Sequence, residues 1–342
     1  MRNLFLSLAS LLTLLALAGP AYAANYEVGA GKTYANLEAL RAASITWADG
    51  DSITVFNDDA SLTAPFNFSD KAVSIQGQGL AIIPADPLNP GRFASGAGAL
   101  SFTGTTLSSF TAASGPGGGH GGAIYAGGAF SGTITGSTFS ANQASGGADA
   151  SSGHGGAIYA NGDFSGAITG STFRANQAIG GTGASSGYGG AIYAGGSFTS
   201  DISNSRFINN LASGTGSSSG RGGAMYVGGD LRLTALAGSA WFRGNKAGAG
   251  GAEAPNALYM ANELNNKTLS LAAGAGHTLY FYDPIESNAA NNNLTININP
   301  NAGHIGKVLF DAYQSKIYGA TTLHNGVLHL TNGAQYGAAN SV

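Results

Sequence analysis

Hydrophobic and polar positions alternate in short runs along most of this chain, and Gly, Ser or Asn bounds each run. In the run at 122–126, for example, Ile124 falls on one face and Tyr125 on the other. Alternation with a period of two predicts β-strands, and these runs show no helical period of 3.6 residues. The pattern therefore predicts an all-β protein made of many short strands.

The alternating runs recur at a fixed spacing. Four copies of the motif Gly-x-Gly-Gly-Ala-(Ile/Met)-Tyr and a degenerate fifth copy place a tyrosine every 33 or 34 residues. These tyrosines are Tyr125, Tyr159, Tyr193, Tyr226 and Tyr259. A second motif, Phe-x-x-Asn, keeps step with the first, at Phe139/Asn142, Phe173/Asn176, Phe207/Asn210 and Phe242/Asn245. Self-similarity at such a period is typical of stacked repeat architectures.

Three strands and three turns per repeat predict one coil of a right-handed parallel β-helix, a pectin-lyase-like solenoid. Equivalent side chains would then stack at about 4.8 Å from coil to coil. The predicted inward ladder of aliphatic residues is Ile124, Ile158, Ile192, Met225 and Leu258. The four motif phenylalanines form a second predicted ladder, and the four asparagines form a hydrogen-bonded ladder at a turn. The Gly-Gly pairs indicate positive φ and close approach of neighbouring coils.

The N-terminus has the features of a secretory signal peptide over residues 1–23. Arg2 precedes an apolar run, and a small-x-small sequence predicts cleavage between Ala23 and Ala24. An uncleaved membrane anchor is the alternative interpretation. Next, Thr33 is predicted to N-cap a short helix over residues 34–40. This helix would cover the open strand edge of the first coil.

Composition and charge exclude several classes of function. The chain has 56 Gly, no Cys, 14 Lys+Arg and 17 Asp+Glu, which gives a formal net charge of −3. The absence of Cys excludes disulfide scaffolds, Cys-ligated zinc and thiol catalysis. The charge balance argues against a nucleic-acid partner. The six His have no metal-ligand spacing, so we predict no metal, cofactor or catalytic residues.

Two features keep an enzymatic alternative open. His120 and His154 lie in Gly-His-Gly triplets similar to that of polygalacturonases, which also need clustered Asp carboxylates. Here the nearest acids are Asp149 and Asp163, and later repeats carry Tyr and Arg at the His position. The acidic turn at 57–59 is a second candidate, with a solvated loop as its structural alternative. A secreted polysaccharide lyase or glycosidase is therefore the alternative to a non-enzymatic function.

The paired Gly-Gly-Ala-Ile and Phe-x-x-Asn motifs resemble the repeats of the polymorphic outer-membrane proteins of chlamydiae and related autotransporters. The resemblance covers residues 119–260. The sequence at 31–37 is similar to the entry of many pectin-lyase-like β-helices, and residues 316–334 are similar to the Gly-x-Leu-x-Leu strands of autotransporter passengers. The resemblance implies a Gram-negative surface protein, exported by a type V route, and passengers of this family mostly act as adhesins.

We therefore expect three segments after the signal peptide. Residues 24–118 form the cap and first coils, 119–262 form the repeat coils, and 263–342 form further passenger coils. The resemblance implies that a translocator barrel follows the sequence given, and the alternative is a free secreted β-helix. The expected location is the cell surface, the outer membrane or the extracellular space.

A surface-displayed adhesin is the expected function, with a host-cell surface protein or glycan as its partner. The resemblance also implies the chain's own translocator barrel as a partner. The five motif tyrosines would form an outward stripe that stacks on sugar rings or anchors a protein. Their structural alternative is to cover neighbouring coils. A stalk without a ligand is the third possible function.

Overall fold

The computed structural model describes residues 23–86, 91–96, 98–112, 119–147, 151–183, 185–261, 266–287, 294–311, 317 and 319–331. The predicted signal peptide up to residue 22 and the segment after residue 331 lie outside these residues. The described chain winds into a parallel β-helix, as the sequence pattern predicts. Its strands stack coil upon coil in two long and two shorter sheets.

Sheet A and sheet B run along nearly the whole solenoid. The eleven described strands of sheet A are Asn25–Val28, Ser52–Val55, Ser74–Gln76, Ser101–Thr103, Ile134–Thr135, Ile168–Thr169, Ile202–Ser203, Leu231–Ala235, Lys267–Ala273, Leu294–Ile298 and Gly319–Leu323. The ten described strands of sheet B are Asp59–Leu62, Ala81–Pro84, Thr106–Ser108, Thr138–Ser140, Thr172–Arg174, Arg206–Ile208, Ala240–Arg243, Thr278–Phe281, Lys307–Phe310 and Val327–Leu330. One continuous stack therefore links the three segments expected from the sequence.

Sheets C and D complete the coil. The eight described strands of sheet C are Phe66–Asn67, Ala94–Ser95, Ile124–Ala126, Ile158–Ala160, Ile192–Ala194, Met225–Val227, Leu258–Met260 and Ile285–Ser287. The six described strands of sheet D are Thr111–Ala112, Gln143–Ser145, Gln177–Ile179, Leu211–Gly214, Lys246–Ala249 and the antiparallel Ala254–Pro255. A small sheet E pairs Gly153–His154 with Gly187–Tyr188. Sheets D and E were not predicted, because the repeat pattern indicates only three strands per coil.

The apolar ladders predicted for the interior are confirmed. Ile124, Ile158, Ile192, Met225 and Leu258 pair in register along sheet C and are fully buried. Stacked phenylalanine rings line the inner face of sheet B, at centroid distances of 4.8–5.0 Å, from Phe139 through Phe173, Phe207, Phe242 and Phe281. The last of these rings extends the ladder one coil beyond the clear sequence repeat.

The predicted asparagine ladder is also present, and it is buried. The side-chain amide of Asn176 donates to Asn210 Oδ1 at 3.0 Å and to the Phe139 carbonyl at 3.0 Å. Its own Oδ1 accepts from the backbone and side-chain nitrogens of Asn142, at 3.1 and 3.0 Å. Each amide thus bonds the coils on both sides, which satisfies polar groups that burial would otherwise leave unpaired.

Asp283 ends this ladder. Its carboxylate accepts from the backbone and side-chain nitrogens of Asn245, at 2.8 and 2.9 Å, and from the Gly244 backbone at 3.0 Å. Burial raises the pKa of Asp283, while the bonds from Asn245 and Gly244 act in the opposite direction. A carboxylate only accepts hydrogen bonds when ionised, so it cannot continue a chain of alternating donors and acceptors.

The Gly-Gly pairs allow neighbouring coils to touch. Gly155 has a φ of +64°, which disfavours any residue with a Cβ. At Gly156 a Cβ would lie only 2.1 Å from the Gly190 carbonyl oxygen of the next coil. Both expectations for the corner, positive φ and close approach, are therefore confirmed.

The N-terminal cap forms, but its helix starts later than predicted. The helix spans Leu37–Ala42, and its N-cap is Asn36, whose side chain accepts from the Ala39 backbone at 2.8 Å. The prediction that Thr33 is the N-cap is wrong, because Tyr34 pairs with the strand Asn25–Val28 and holds this segment extended. In the part of the chain that the structure describes, no helix has the length and apolarity needed to cross a membrane.

Adjacent asparagines provide a matched test of the ladder. Asn210→Ala should lower the free energy of unfolding by at least about 3 kcal/mol, because it leaves several buried polar groups of adjacent coils unpaired. The neighbouring Asn209 is exposed, and its backbone conformation is the one that Ala141 and Ala175 adopt in earlier coils. Asn209→Ala should therefore cost about 1 kcal/mol or less. Urea denaturation of both variants measures the difference, and equal losses would contradict a stabilising role for the ladder.

Candidate functional site

The five motif tyrosines stack on the outer face of sheet C. Their centroids are 4.9–5.4 Å apart, and neighbouring rings are within 14° of parallel. We call this row the tyrosine ladder, which consists of Tyr125, Tyr159, Tyr193, Tyr226 and Tyr259. The alternation of each strand, with Ile inward and Tyr outward, positions the rings, and the in-register pairing of the strands brings them together.

A second row of side chains lies beside the tyrosine ladder. It comes from the Gly-x-Gly corner before each strand of sheet C, and we call it the corner column, formed by His120, His154, Tyr188 and Arg221. Parallel bridges join its members from coil to coil. Each member packs on the tyrosine of the following coil: the His120 ring lies 4.5 Å from Tyr159, and the His154 ring lies 4.7 Å from Tyr193. The two rows form one continuous aromatic surface.

Arginines cover both ends of the tyrosine ladder. The guanidinium of Arg92 lies 5.1 Å from the Tyr125 ring centroid, and its Nε donates to the His120 carbonyl at 3.2 Å. At the other end, the guanidinium of Arg221 lies 4.8 Å from the Tyr259 centroid. Guanidinium groups stack favourably on aromatic faces, so these contacts complete the stack. The sequence pattern does not indicate Arg92, because this residue precedes the first repeat and belongs to no motif.

The structure changes the interpretation of the tyrosines as a stripe for stacking on sugars. Each inner ring has both faces against other rings, and Tyr159 and Tyr259 are only 6% exposed. The Tyr159 hydroxyl donates to Asn161 Oδ1 at 2.9 Å, and burial raises its pKa to about 12. The ladder thus offers ring edges at its surface and covers the adjacent coils. A binding role for these edges stays a prediction.

The surroundings of His154 differ from those of a general acid or base. Both ring nitrogens are buried, although part of the side chain reaches the surface, and neither has a partner among the described residues. Burial, with a smaller contribution from His120, lowers the pKa of His154 to about 3. Burial also lowers the pKa of His120, helped by the charge of Arg92. Both rings are therefore neutral at pH 7, whereas an efficient general base has a pKa near the working pH.

The candidate acids are held by structural hydrogen bonds. Asp58 Oδ1 accepts from the Ala81 backbone at 2.8 Å, and Asp59 Oδ2 accepts from the Leu37 backbone at 2.7 Å, where it anchors the N-terminal helix. Asp163 Oδ1 accepts from the Ser197 backbone at 2.8 Å. Asp149 lies outside the described residues. Where the chain is described, no three His, Asp or Glu side chains lie close enough together to hold a metal ion.

The fold and this surface define a β-helical repeat protein with an aromatic outer ladder. No protein-family model matches the chain, and no solved structure matches it. The chain is 40% identical over 74 residues to a protein of Chlamydia pneumoniae described as probable outer membrane protein pmp6. This match covers 21% of the chain and only 6% of the chlamydial protein.

The depressed pKa of His154 predicts a stability that falls on acidification. A histidine with a depressed pKa binds its proton only after unfolding, so stability is complete above about pH 6.5 and is lost as the pH falls towards the folded pKa of about 3. For His154 the loss between pH 7 and pH 5 should be about 1–2 kcal/mol. His154→Tyr copies the residue of the next coil and should remove this part of the dependence.

Thermal melting of the unchanged chain and of His154→Tyr at several pH values measures this pH dependence of stability. The carboxylates are the same in both chains, so their contribution cancels in the difference. Equal decreases in melting temperature between pH 7 and pH 5 would contradict the prediction. The reciprocal change Tyr188→His should add a further pH dependence in the same direction.

Proposed function

We propose that this chain is the passenger of an autotransporter-type protein, exported by its signal peptide and displayed on the surface of a Gram-negative bacterium. The observation that carries the proposal is the 40% identity over 74 residues with a probable outer membrane protein. The in-register ladders of the repeat motifs support it, because they make the repeats one rigid rod. Eleven stacked strands at about 4.8 Å give a length of roughly 50 Å.

The first described residues support the proposed cleavage site. The backbone nitrogen of Ala24 donates to Asp51 Oδ1 at 2.8 Å, and the carboxylate is almost fully buried. Cleavage after Ala23 would make this nitrogen the α-ammonium group of the mature chain. The buried carboxylate would then pair with a positive charge, and a charge-assisted hydrogen bond is stronger than a neutral one.

Within this setting we propose that the passenger acts as an adhesin for a protein or glycan at a host-cell surface. The solenoid exposes long sheets of ten and eleven described strands, and adhesion needs an extended contact surface more than an enclosed pocket. The neutral, ring-packed histidines favour this function over polysaccharide cleavage. A stalk without a ligand is the other non-enzymatic function, and a binding measurement distinguishes the two.

Surface display can be tested on intact cells of the source bacterium. We expect a protease added outside the cells to degrade the native product, and antibodies against the chain to label unpermeabilised cells. A periplasmic protein of the same cells, protected from the protease, is the control. A product that resists the protease until the cells are lysed would overturn the proposed surface location.

Catalysis can be tested separately with purified protein. We expect no unsaturated ends and no new reducing ends after incubation with polygalacturonate. His154→Ala should behave in the same way as the unchanged chain. Unsaturated ends that the unchanged chain produces and His154→Ala does not produce would instead support the polysaccharide lyase.

A further inference from the structure

The outer face of sheet B carries a cluster of exposed cations. We call it the sheet B patch. Its members on sheet B are Arg174, Arg206 and Arg243, and Lys246 adds a fourth cation at the start of the adjoining strand of sheet D. The whole chain has 14 Lys and Arg and a net charge of −3, so four cations on three successive coils are a strong local excess. The ion pairs of the described residues include none of the four.

The register of the strands fixes the arrangement of the patch. Arg174 and Arg243 occupy one outward column, two coils apart, which corresponds to about 10 Å along the solenoid. Arg206 lies on the coil between them, in the neighbouring column. Lys246 follows the Asn245 turn at the start of a strand of sheet D. The positive charges therefore occupy successive coils rather than a single point.

Aromatic side chains hold two of these guanidinium groups. Arg206 lies 4.6 Å from the Trp241 ring centroid, and Arg243 lies 5.5 Å from the Tyr282 centroid. Tyr280 stacks on Tyr282 at 5.8 Å and contacts the edge of Trp241 at 6.4 Å. The buried indole N–H of Trp241 has no hydrogen-bond partner among the described residues.

Other arginines of the chain have structural partners. Arg41 pairs with Glu38 in the N-terminal helix, and Arg232 pairs with a carboxylate at 3.2 Å. Arg92 and Arg221 cover the ends of the tyrosine ladder. The patch differs from these residues because none of its four charges belongs to a direct ion pair of the described residues. The charges of Arg243 and Lys246 act on the carboxylates of Asp283 and Glu253 only without direct contact.

The acidic groups near the patch are already bonded. Asp283 is buried and accepts from Asn245, and Glu253 accepts from the Ser213 hydroxyl at 2.6 Å. The bond from Ser213 lowers the pKa of Glu253. Neither carboxylate neutralises a guanidinium of the patch through a direct ion pair. The positive charge thus remains available for a ligand.

We propose that the sheet B patch binds a linear anionic polysaccharide that carries carboxylate or sulfate groups. Guanidinium forks match such oxyanions in a bidentate geometry, and indole and phenol rings pack on the apolar faces of sugars. The spacing of the coils, about 4.8 Å, is close to the length of one sugar ring, so successive sugars meet successive coils. The ligand lies along the solenoid axis, across Arg174, Arg206 and Arg243.

This inference rests on the proposed function for its biological setting and names the ligand class of the adhesin. The two can fail separately, because purified chain measures binding and intact cells measure display. Binding of the polysaccharide without surface display would overturn only the proposed surface location. Display without binding would overturn the inference alone.

The test is a titration of the purified chain with heparin and with polygalacturonate, and neutral dextran is the reference. We expect binding to at least one of the two anionic polymers, none to dextran, and an affinity that falls as salt is raised. The double variant Arg206→Gln/Arg243→Gln should weaken binding about tenfold or more, because charge-assisted bonds are lost. Trp241→Leu should weaken binding to the polysaccharide but leave the salt dependence unchanged.

The matched control removes two charges from other faces. Lys71→Gln/Arg232→Gln changes the net charge by the same amount and should bind like the unchanged chain. Equal losses in the two double variants would overturn the patch as the site, and so would equal binding by all three proteins. Equally tight binding of duplex DNA would show a general attraction to polyanions and overturn the glycan specificity. Melting temperatures close to that of the unchanged chain exclude misfolding.

Discussion

In-register stacking of equivalent residues is the constraint on which this structure depends. A side chain that meets its own equivalent in the next coil must find that contact favourable at about 4.8 Å. Phenylalanine, tyrosine and asparagine meet this requirement, the rings by stacking and the amide by donating to one neighbour and accepting from the other. Two identical buried carboxylates or ammonium groups at that distance would repel each other. The low charge of the chain follows from the same constraint.

The end of the asparagine ladder shows how strictly this constraint operates. Asp283 stands two residues after Phe281, whereas each ladder asparagine stands three residues after its phenylalanine. Its carboxylate nevertheless reaches the two nitrogens of Asn245 and closes the row. The phenylalanine row continues past this point to Phe310. The phenylalanine ladder and the asparagine ladder therefore end independently. Stacked rings need no hydrogen-bond donor from the next coil, whereas each amide of the asparagine ladder does.

The sequence predicted the interior well and the turns less well, for physical reasons. Large side chains such as Ile158 and Phe173 give a clear alternation, so their inward positions could be read from the period of two. Sheet D has small inward residues such as Ala178. Small residues next to polar ones are also typical of loops, so the sequence did not indicate these strands. Ala175 has a φ of +53°, a conformation that its residue type does not suggest. The sequence left both uses of the tyrosine rings open, because alternation tells which side a residue takes but not what covers it.

Variation between repeats separates two kinds of position on the outer faces. On sheet C the outward position is Tyr in five consecutive coils, and each ring stacks on the tyrosine rings of the adjacent coils. On sheet B the outward position changes from Thr172 to Arg206, Trp241 and Tyr280 over four coils. The same column carries Thr106, Thr138 and Thr172 in the earlier coils, and only the later coils differ from one another. Stacking of identical residues therefore does not fix the side chain in these later coils. The fold therefore leaves this column free of the ladder constraint, and a surface free of that constraint can carry the chemistry of a ligand.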